Sequence, residues 1–124
     1  MAAANYNTEK HLEITRMLLK AGADVRARNK EDETVLWYAI NSTSKETVRI
    51  LLAAGADVNA RNNAGVTPLM RAAQLARSEI MVVLIESGAD VNAKNGEGLS
   101  VLAVAKKAGY KDPVRILQEH NAKE

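Results

Sequence analysis

The sequence predicts an all-α protein, a solenoid of stacked helix–turn–helix units with projecting β-hairpin-like loops. Three observations lead to this prediction. An eight-residue pattern recurs as LLKAGADV, LLAAGADV and LIESGADV. Its glycines, Gly22, Gly55 and Gly88, are separated by the same interval each time. Each interval also carries two apolar stripes at helical spacing, and self-similarity at such a fixed period is typical of stacked repeats.

The repeat divides the chain into four rows. We expect one domain over residues 1–124, with repeats at about 1–27, 28–60, 61–93 and 94–124. The first row is incomplete and the last ends in polar residues, so we expect caps at both ends, because a terminal repeat faces water on one side. Only 3% of the residues are aromatic, so aliphatic side chains and alanines must fill the core and the helices must pack closely.

The first helix of each repeat begins at a hydroxyl residue. Thr67 reads as an N-cap, and Pro68 follows at the first helical position, where its missing N–H is not needed. Thr34 and Ser100 keep the cap in the neighbouring rows. Apolar residues then recur at helical spacing, as Leu69 and its successors do in the third row.

The second helix follows after a short break. In the second row, Thr43 and Glu46 predict a capping box for it. A left-handed glycine such as Gly55 then closes the helix after its last apolar turn. An extended stretch, ADVNA, leads from there to a turn with Gly65 or Gly98 at its tip. Each row is therefore two short helices and one projecting loop, and stacking the rows gives a continuous core.

The row resembles the ankyrin repeat over essentially the whole chain. The stretches AGVTPLMRAA and SEIMVVLIESGADVNAKN carry the Thr-Pro-Leu start and the Gly-Ala-Asp-Val-Asn close of that family. Some positions depart from its pattern. Asp32 stands where the family has the turn glycine, and Trp37 replaces the helical histidine. Asn29, Asn62 and Asn95 occupy a position that the family often fills with Asp.

The resemblance implies a non-catalytic protein–protein interaction module that binds a partner protein through its concave face. The hairpin tips and the first helices form that face in the family. Carried over residue by residue, the predicted partner-binding residues are Arg28, Lys30, Glu31, Glu33, Trp37, Tyr38, Asn41, Arg61, Asn63, Val66, Arg71, Gln74, Leu75, Lys94, Glu97, Leu99 and Lys107. The alternatives are a structural, excised or engineered scaffold with no partner of its own and, less favoured, a binder of polyanions or small ligands.

Several other chemistries find no support in the sequence. The chain has no Cys, so thiolate catalysis and zinc–thiolate sites are excluded. The only histidines, His11 and His120, have no further ligands at a metal-binding spacing, and no catalytic triad or paired carboxylates emerge. We therefore expect no enzymatic activity and no cofactor. Without a signal peptide or a transmembrane segment, we expect the protein to lie in the cytoplasm or nucleus. We also expect it to be a monomer.

Two features of the predicted surface remain open to interpretation. Arg28, Arg61 and Lys94 recur at equivalent positions of the second, third and fourth repeats and would form a ladder. They either solubilise the hairpins and pair with nearby acids, or they bind an acidic patch on a partner. The net charge of +2 disfavours nucleic acid. Of the adjacent aromatic residues, Trp37 occupies a row that in the family packs beneath the hairpin, so packing is favoured over contact with a partner. Tyr38 could either pack or contact a partner.

Overall fold

A computed structural model describes residues 25–41 and 44–124. Within those ranges the chain forms six α-helices and no β-strand. They are α1 (Val35–Asn41), α2 (Lys45–Ala53), α3 (Pro68–Gln74), α4 (Ser78–Glu86), α5 (Val101–Ala108) and α6 (Lys111–Glu119). Most of the predicted first repeat, including His11 and Gly22, lies outside the described residues, as does Thr43.

The helices stack in two layers. The first helices of successive repeats, α1, α3 and α5, pack against one another, and the second helices, α2, α4 and α6, form the other layer. Each repeat also packs its own two helices together. This arrangement confirms the predicted all-α repeat solenoid. No helix in the described part of the chain is long and apolar enough to cross a membrane.

The core runs continuously between the layers and has the predicted aliphatic composition. Leu36, Leu69, Leu84 and Leu117 lie in it with 0–1% of their surface exposed. Buried alanines separate neighbouring first helices, and Ala72, Ala73 and Ala105 are fully buried there. Small side chains at these positions let the helices approach closely, and close packing of this kind leaves little tolerance for changes in volume.

The first helices begin as predicted in two of the three described repeats. The hydroxyl of Thr67 accepts a hydrogen bond from the amide of Met70, and Ser100 caps α5 in the same way. Thr34 does not. Its buried hydroxyl has no hydrogen-bond partner. The amide that it would accept, Trp37 N, donates to the carbonyl oxygen of Thr34 instead, at 3.1 Å.

The predicted capping box of the second helix is wrong by one residue. Ser44, not Thr43, is the N-cap of α2, and its hydroxyl accepts from the amide of Thr47 at 3.2 Å. The Thr47 hydroxyl donates to the same oxygen at 2.9 Å. Helix α2 begins one residue later than the prediction, so Glu46 falls on an exposed position of its first turn and not at the third helical position that a capping box uses.

The glycines that close the second helices are left-handed, as predicted, with φ of 101° at Gly55 and 98° at Gly88. The amide of Ala56, after Gly55, donates back to the carbonyl oxygen of Leu51 at 3.0 Å, which completes a Schellman motif. Asn121 takes the same place after α6, with φ of 63°. Asn tolerates this conformation better than most residues, so the last helix closes like the others without a glycine.

Candidate functional site

We use the name tip–helix face for the surface formed by the hairpins at 28–34, 61–67 and 94–100 together with the first helices. Every predicted partner-binding residue lies in one of these elements or directly after one. The hairpins carry Arg28, Lys30, Glu31, Glu33, Arg61, Asn63, Val66, Lys94, Glu97 and Leu99. The helices carry Trp37, Tyr38 and Asn41 on α1, Arg71 and Gln74 on α3 with Leu75 at its end, and Lys107 on α5.

Each hairpin turn is built around an asparagine. The side-chain oxygen of Asn29 accepts from the amides two and four residues ahead, at 2.9 and 3.0 Å. Asn62 accepts the equivalent pair at 3.0 Å each, and Asn95 at 2.9 and 3.0 Å. A carboxylate could accept the same two bonds, so an aspartate could take the place of asparagine in this turn. The recurrence of Asn at the period of the repeat was the sequence signal for this role.

The tip residue of each turn is left-handed. Gly65 and Gly98 have φ of 74° and 82°, and Asp32, in the same place of the preceding hairpin, has φ of 64°. Each donates its amide to the carbonyl oxygen of the turn asparagine at 2.9–3.0 Å. Asp32 therefore adopts the glycine conformation although it carries a side chain, and Asp is among the few residues that do so at moderate cost.

The tips of successive hairpins bond to each other. The amide of Asn63 donates to the carbonyl oxygen of Glu31 at 3.1 Å, and its side-chain nitrogen donates to that of Lys30 at 3.2 Å. One repeat further, the amide of Gly96 donates to the carbonyl oxygen of Ala64 at 2.9 Å. These bonds fix the spacing of the tips and hold the hairpins as one connected row.

The cation ladder serves the same purpose. The guanidinium of Arg28 donates to the carbonyl oxygen of Arg61 at 2.9 Å, and that of Arg61 donates to the carbonyl oxygen of Lys94. Arg28 also forms an ion pair with Asp32 at 3.3 Å. Two members of the ladder thus join one hairpin to the next. This favours the interpretation in which the cations serve the hairpins over the one in which they bind a partner.

A second set of side chains joins repeats at the base of the hairpins. Asn59 donates to the carbonyl oxygen of Gly88 at 3.2 Å and accepts from the amide of Asp90 at 2.8 Å. Asn92 accepts from the amide of Lys123 at 2.9 Å, one repeat on. The role of these asparagines was not predicted, although their recurrence at the period of the repeat is visible in the sequence. Their hydrogen bonds help to hold successive repeats together.

The adjacent aromatic residues of α1 have different environments. Trp37 is 8% exposed, and the guanidinium of Arg71 lies 4.9 Å from its ring centroid, a cation–π contact. Arg71 also donates to the side-chain oxygen of Asn41 at 3.0 Å. Tyr38 is 54% exposed, and its hydroxyl accepts a hydrogen bond from Asn29. Trp37 is therefore buried against Arg71 of the next repeat, and Tyr38 presents its ring to solvent.

A depression of about 220 Å³ lies between the third and fourth repeats on the tip–helix face. Its lining residues are Gln74, Asn95, Glu97, Leu99, Val104, Lys107 and Ala108. Four of the predicted residues meet here, namely Gln74, Glu97, Leu99 and Lys107. The lining combines an amide, a carboxylate, an ammonium group and apolar side chains. Such a mixture suits contact with a polypeptide, which offers main-chain polar groups and side chains together.

The described residues include no group of three or more His, Asp or Glu side chains placed to hold a metal ion. His120 caps the last helix, and its ring nitrogen Nδ1 lies 2.8 Å from the carbonyl oxygen of Ile116. The tip–helix face itself offers hydrogen-bonding groups, exposed charges and partly exposed apolar side chains.

Comparison with known proteins agrees with the repeat seen in the sequence. Residues 1–95 match a family model described as ankyrin repeats, in three copies. The match covers well over half of the chain. A search of curated proteins finds no match.

Proposed function

The chain belongs to the ankyrin repeat family, and we propose that it is a non-catalytic module that binds a partner protein through the tip–helix face. Ankyrin repeats are generally protein–protein interaction modules and generally lack catalytic activity. The observation that carries the proposal for this chain is the depression between the third and fourth repeats, where Gln74, Glu97, Leu99 and Lys107 meet.

Exposed apolar surface on α1 also supports the proposal that the tip–helix face binds a partner. Tyr38 and Val35 are 54% and 42% exposed, and both lie on the first helix of the second repeat. Tyrosine is a frequent binding hot spot because its rigid ring supplies contact area and its hydroxyl keeps a polar partner. The hydrogen bond from Asn29 orients the Tyr38 ring from one side. We therefore propose Tyr38 as the apolar anchor of the second repeat.

We infer the charge of the partner from the cations of the tip–helix face that the described residues do not bind. The ammonium groups of Lys30, Lys94 and Lys107 make no hydrogen bond or ion pair with the described residues, whereas Arg28 and Arg61 bond to the next hairpin. An acidic patch on the partner would therefore contact these lysines and not the arginines. Such exposed contacts contribute about 0–1 kcal/mol each and act more on specificity than on affinity.

The proposal is tested by affinity capture with matched variants. The face variant carries alanine at three residues of the tip–helix face, namely Tyr38, Gln74 and Lys107. The control variant carries alanine at three exposed residues of the second helices, namely Arg49, Glu86 and Glu119. Thermal denaturation of both confirms that the fold is retained. We expect wild type and control to retain one common partner that the face variant loses.

Three results would contradict the proposal. Equal capture by the face variant and the control would place the binding surface elsewhere. Retention on a polyanion column, with an affinity that falls steeply with salt, would favour a nucleic-acid ligand instead. If no protein is captured by any form, the scaffold without a partner of its own becomes the better account.

We further propose that the module acts as a monomer in the cytoplasm or nucleus, and sedimentation analysis tests its oligomeric state.

A further inference from the structure

Asn95 and Gly96 form the only Asn-Gly pair in the sequence. In such a pair the amide nitrogen of the glycine can attack the side-chain carbonyl carbon of the asparagine, because no Cβ hinders its approach. A bond forms between Gly96 N and Asn95 Cγ, the Cγ–Nδ2 bond breaks, and ammonia leaves. Water then opens the resulting succinimide ring at either carbonyl and gives aspartate or isoaspartate. The reaction needs no catalyst and no reagent other than water.

Both reacting groups are engaged in hydrogen bonds in the structure. The amide of Gly96 donates to the carbonyl oxygen of Ala64 in the preceding hairpin at 2.9 Å. The side-chain oxygen of Asn95 accepts two amides of its own turn, from Glu97 and Leu99, at 2.9 and 3.0 Å. The nucleophile is thus engaged by the neighbouring repeat, and the carboxamide is held in one orientation by its own.

We propose that Asn95 is a deamidation site that the docking of the fourth hairpin on the third keeps masked. Because the bond from Gly96 to Ala64 crosses between repeats, separation of the two tips frees the nucleophile without unfolding the helices. The rate of modification at Asn95 then reports the opening of that interface. Gly96 is exposed, so water reaches the bond once the tips part.

The products would change the tip–helix face. Aspartate at this position keeps an oxygen that accepts the two turn amides, but it adds a negative charge beside Glu97 in the depression between the third and fourth repeats. Isoaspartate places an extra carbon in the main chain, and the turn can no longer close with the same hydrogen bonds. Deamidation would therefore weaken binding of an acidic partner segment near Lys107, a consequence that rests on the proposed function.

The test measures deamidation of the full chain over time at mildly alkaline pH by mass spectrometry of the tryptic peptide that begins at Asn95. Arg61→Ala removes the guanidinium that bonds to Lys94 at the masked interface. Arg28→Ala removes the equivalent bond one interface earlier and is the matched control. Gly65→Ala is a second opening variant, since its added Cβ would lie 2.6 Å from Gly96 N.

We expect the folded wild type to react at least about tenfold more slowly than the same chain unfolded in urea, which corresponds to an opening free energy of about 1.4 kcal/mol or more. Arg61→Ala should raise the folded rate about two- to tenfold, the effect of losing one hydrogen bond. Gly65→Ala should raise it by at least as much, because overpacking at the tip contact forces the two hairpins apart. Arg28→Ala should leave it unchanged. Equal rates in the folded and unfolded wild type, or equal rates in the Arg61 and Arg28 variants, would overturn the proposal.

Discussion

Replacing Gly65 by alanine is expected to destabilise the protein more than the same change at Gly98, although both glycines occupy the same place in their hairpins. Both are left-handed, with φ of 74° and 82°, so alanine at either position carries a conformational cost of about 1–2 kcal/mol. The surroundings differ. A Cβ at Gly65 would lie 2.6 Å from Gly96 N and 3.1 Å from the carbonyl carbon of Asn95, whereas a Cβ at Gly98 meets no atom within 4 Å.

A contact of 2.6 Å with main-chain atoms forces the two tips apart. Overpacking of this kind costs about 1–3 kcal/mol, so we expect a total loss of about 2–5 kcal/mol for Gly65→Ala against about 1–2 kcal/mol for Gly98→Ala. Urea denaturation of both variants, compared at a common slope, gives the difference directly. Gly55→Ala, with φ of 101° and no atom within 4 Å of the added Cβ, measures the conformational cost away from the hairpins.

Equal losses for Gly65→Ala and Gly98→Ala would refute the reasoning, because they would show that the tips separate freely and that their contact adds no stability. A loss at Gly98 as large as about 4 kcal/mol would likewise mean that conformational strain alone explains both variants. A larger loss at Gly65 with an unchanged urea slope would confirm that the docked tips stabilise the stack.

Three further predictions test the core, the backbone and the tryptophan site. Leu84→Ala should lower the free energy of unfolding in urea by about 2–5 kcal/mol, because Leu84 is fully buried. Val82→Ala, at a half-buried site, should lower it less. Equal midpoints for the two variants would contradict the assignment of Leu84 to the core. Ala76→Gly should stabilise the protein by about 1 kcal/mol, since Ala76 has φ of 56°, and a lower thermal midpoint would show that this conformation carries no strain. Arg71→Ala should lower the free energy of unfolding by about 1–2 kcal/mol. It should also move the fluorescence emission of Trp37 to longer wavelength, because the ring becomes more exposed to water. Unchanged emission would mean that Arg71 does not shield the ring.

The candidate site could be predicted from the sequence in outline. The repeat places the hairpin and first-helix residues on one face, because positions one period apart must occupy equivalent sites in a stack. The predicted face therefore includes Gln74, Glu97, Leu99 and Lys107, and the structure places these four residues around one depression. Asn95 also lines the depression but is not among the predicted partner-binding residues. Its role in the turn depends on residues close to it in the sequence, whereas its place beside Lys107 depends on how two repeats pack.

The aromatic pair on α1 also combines a feature that the sequence predicts with one that only packing decides. Trp37 and Tyr38 are adjacent in the sequence and have similar propensities, yet one is 8% and the other 54% exposed. Helical geometry turns neighbouring side chains by about 100°, so one of the pair had to face the core side more than the other. The buried position of Trp37 was expected from the family pattern. Only the packed structure shows that Arg71, from the next repeat, covers its ring.

The sequence by itself determined the features that depend on local backbone chemistry. The period of the repeat, the left-handed closures at Gly55 and Gly88 and the cap at Thr67 follow from residues a few positions apart, whose sterics and hydrogen bonds are settled within one turn. The tertiary structure decided what depends on distant groups. It selected Ser44 over Thr43 as the cap, because packing sets where α2 begins. It also engaged the Arg28 guanidinium with the carbonyl oxygen of Arg61 in the next repeat, because a long charged side chain bonds to whatever acceptor the fold brings within reach.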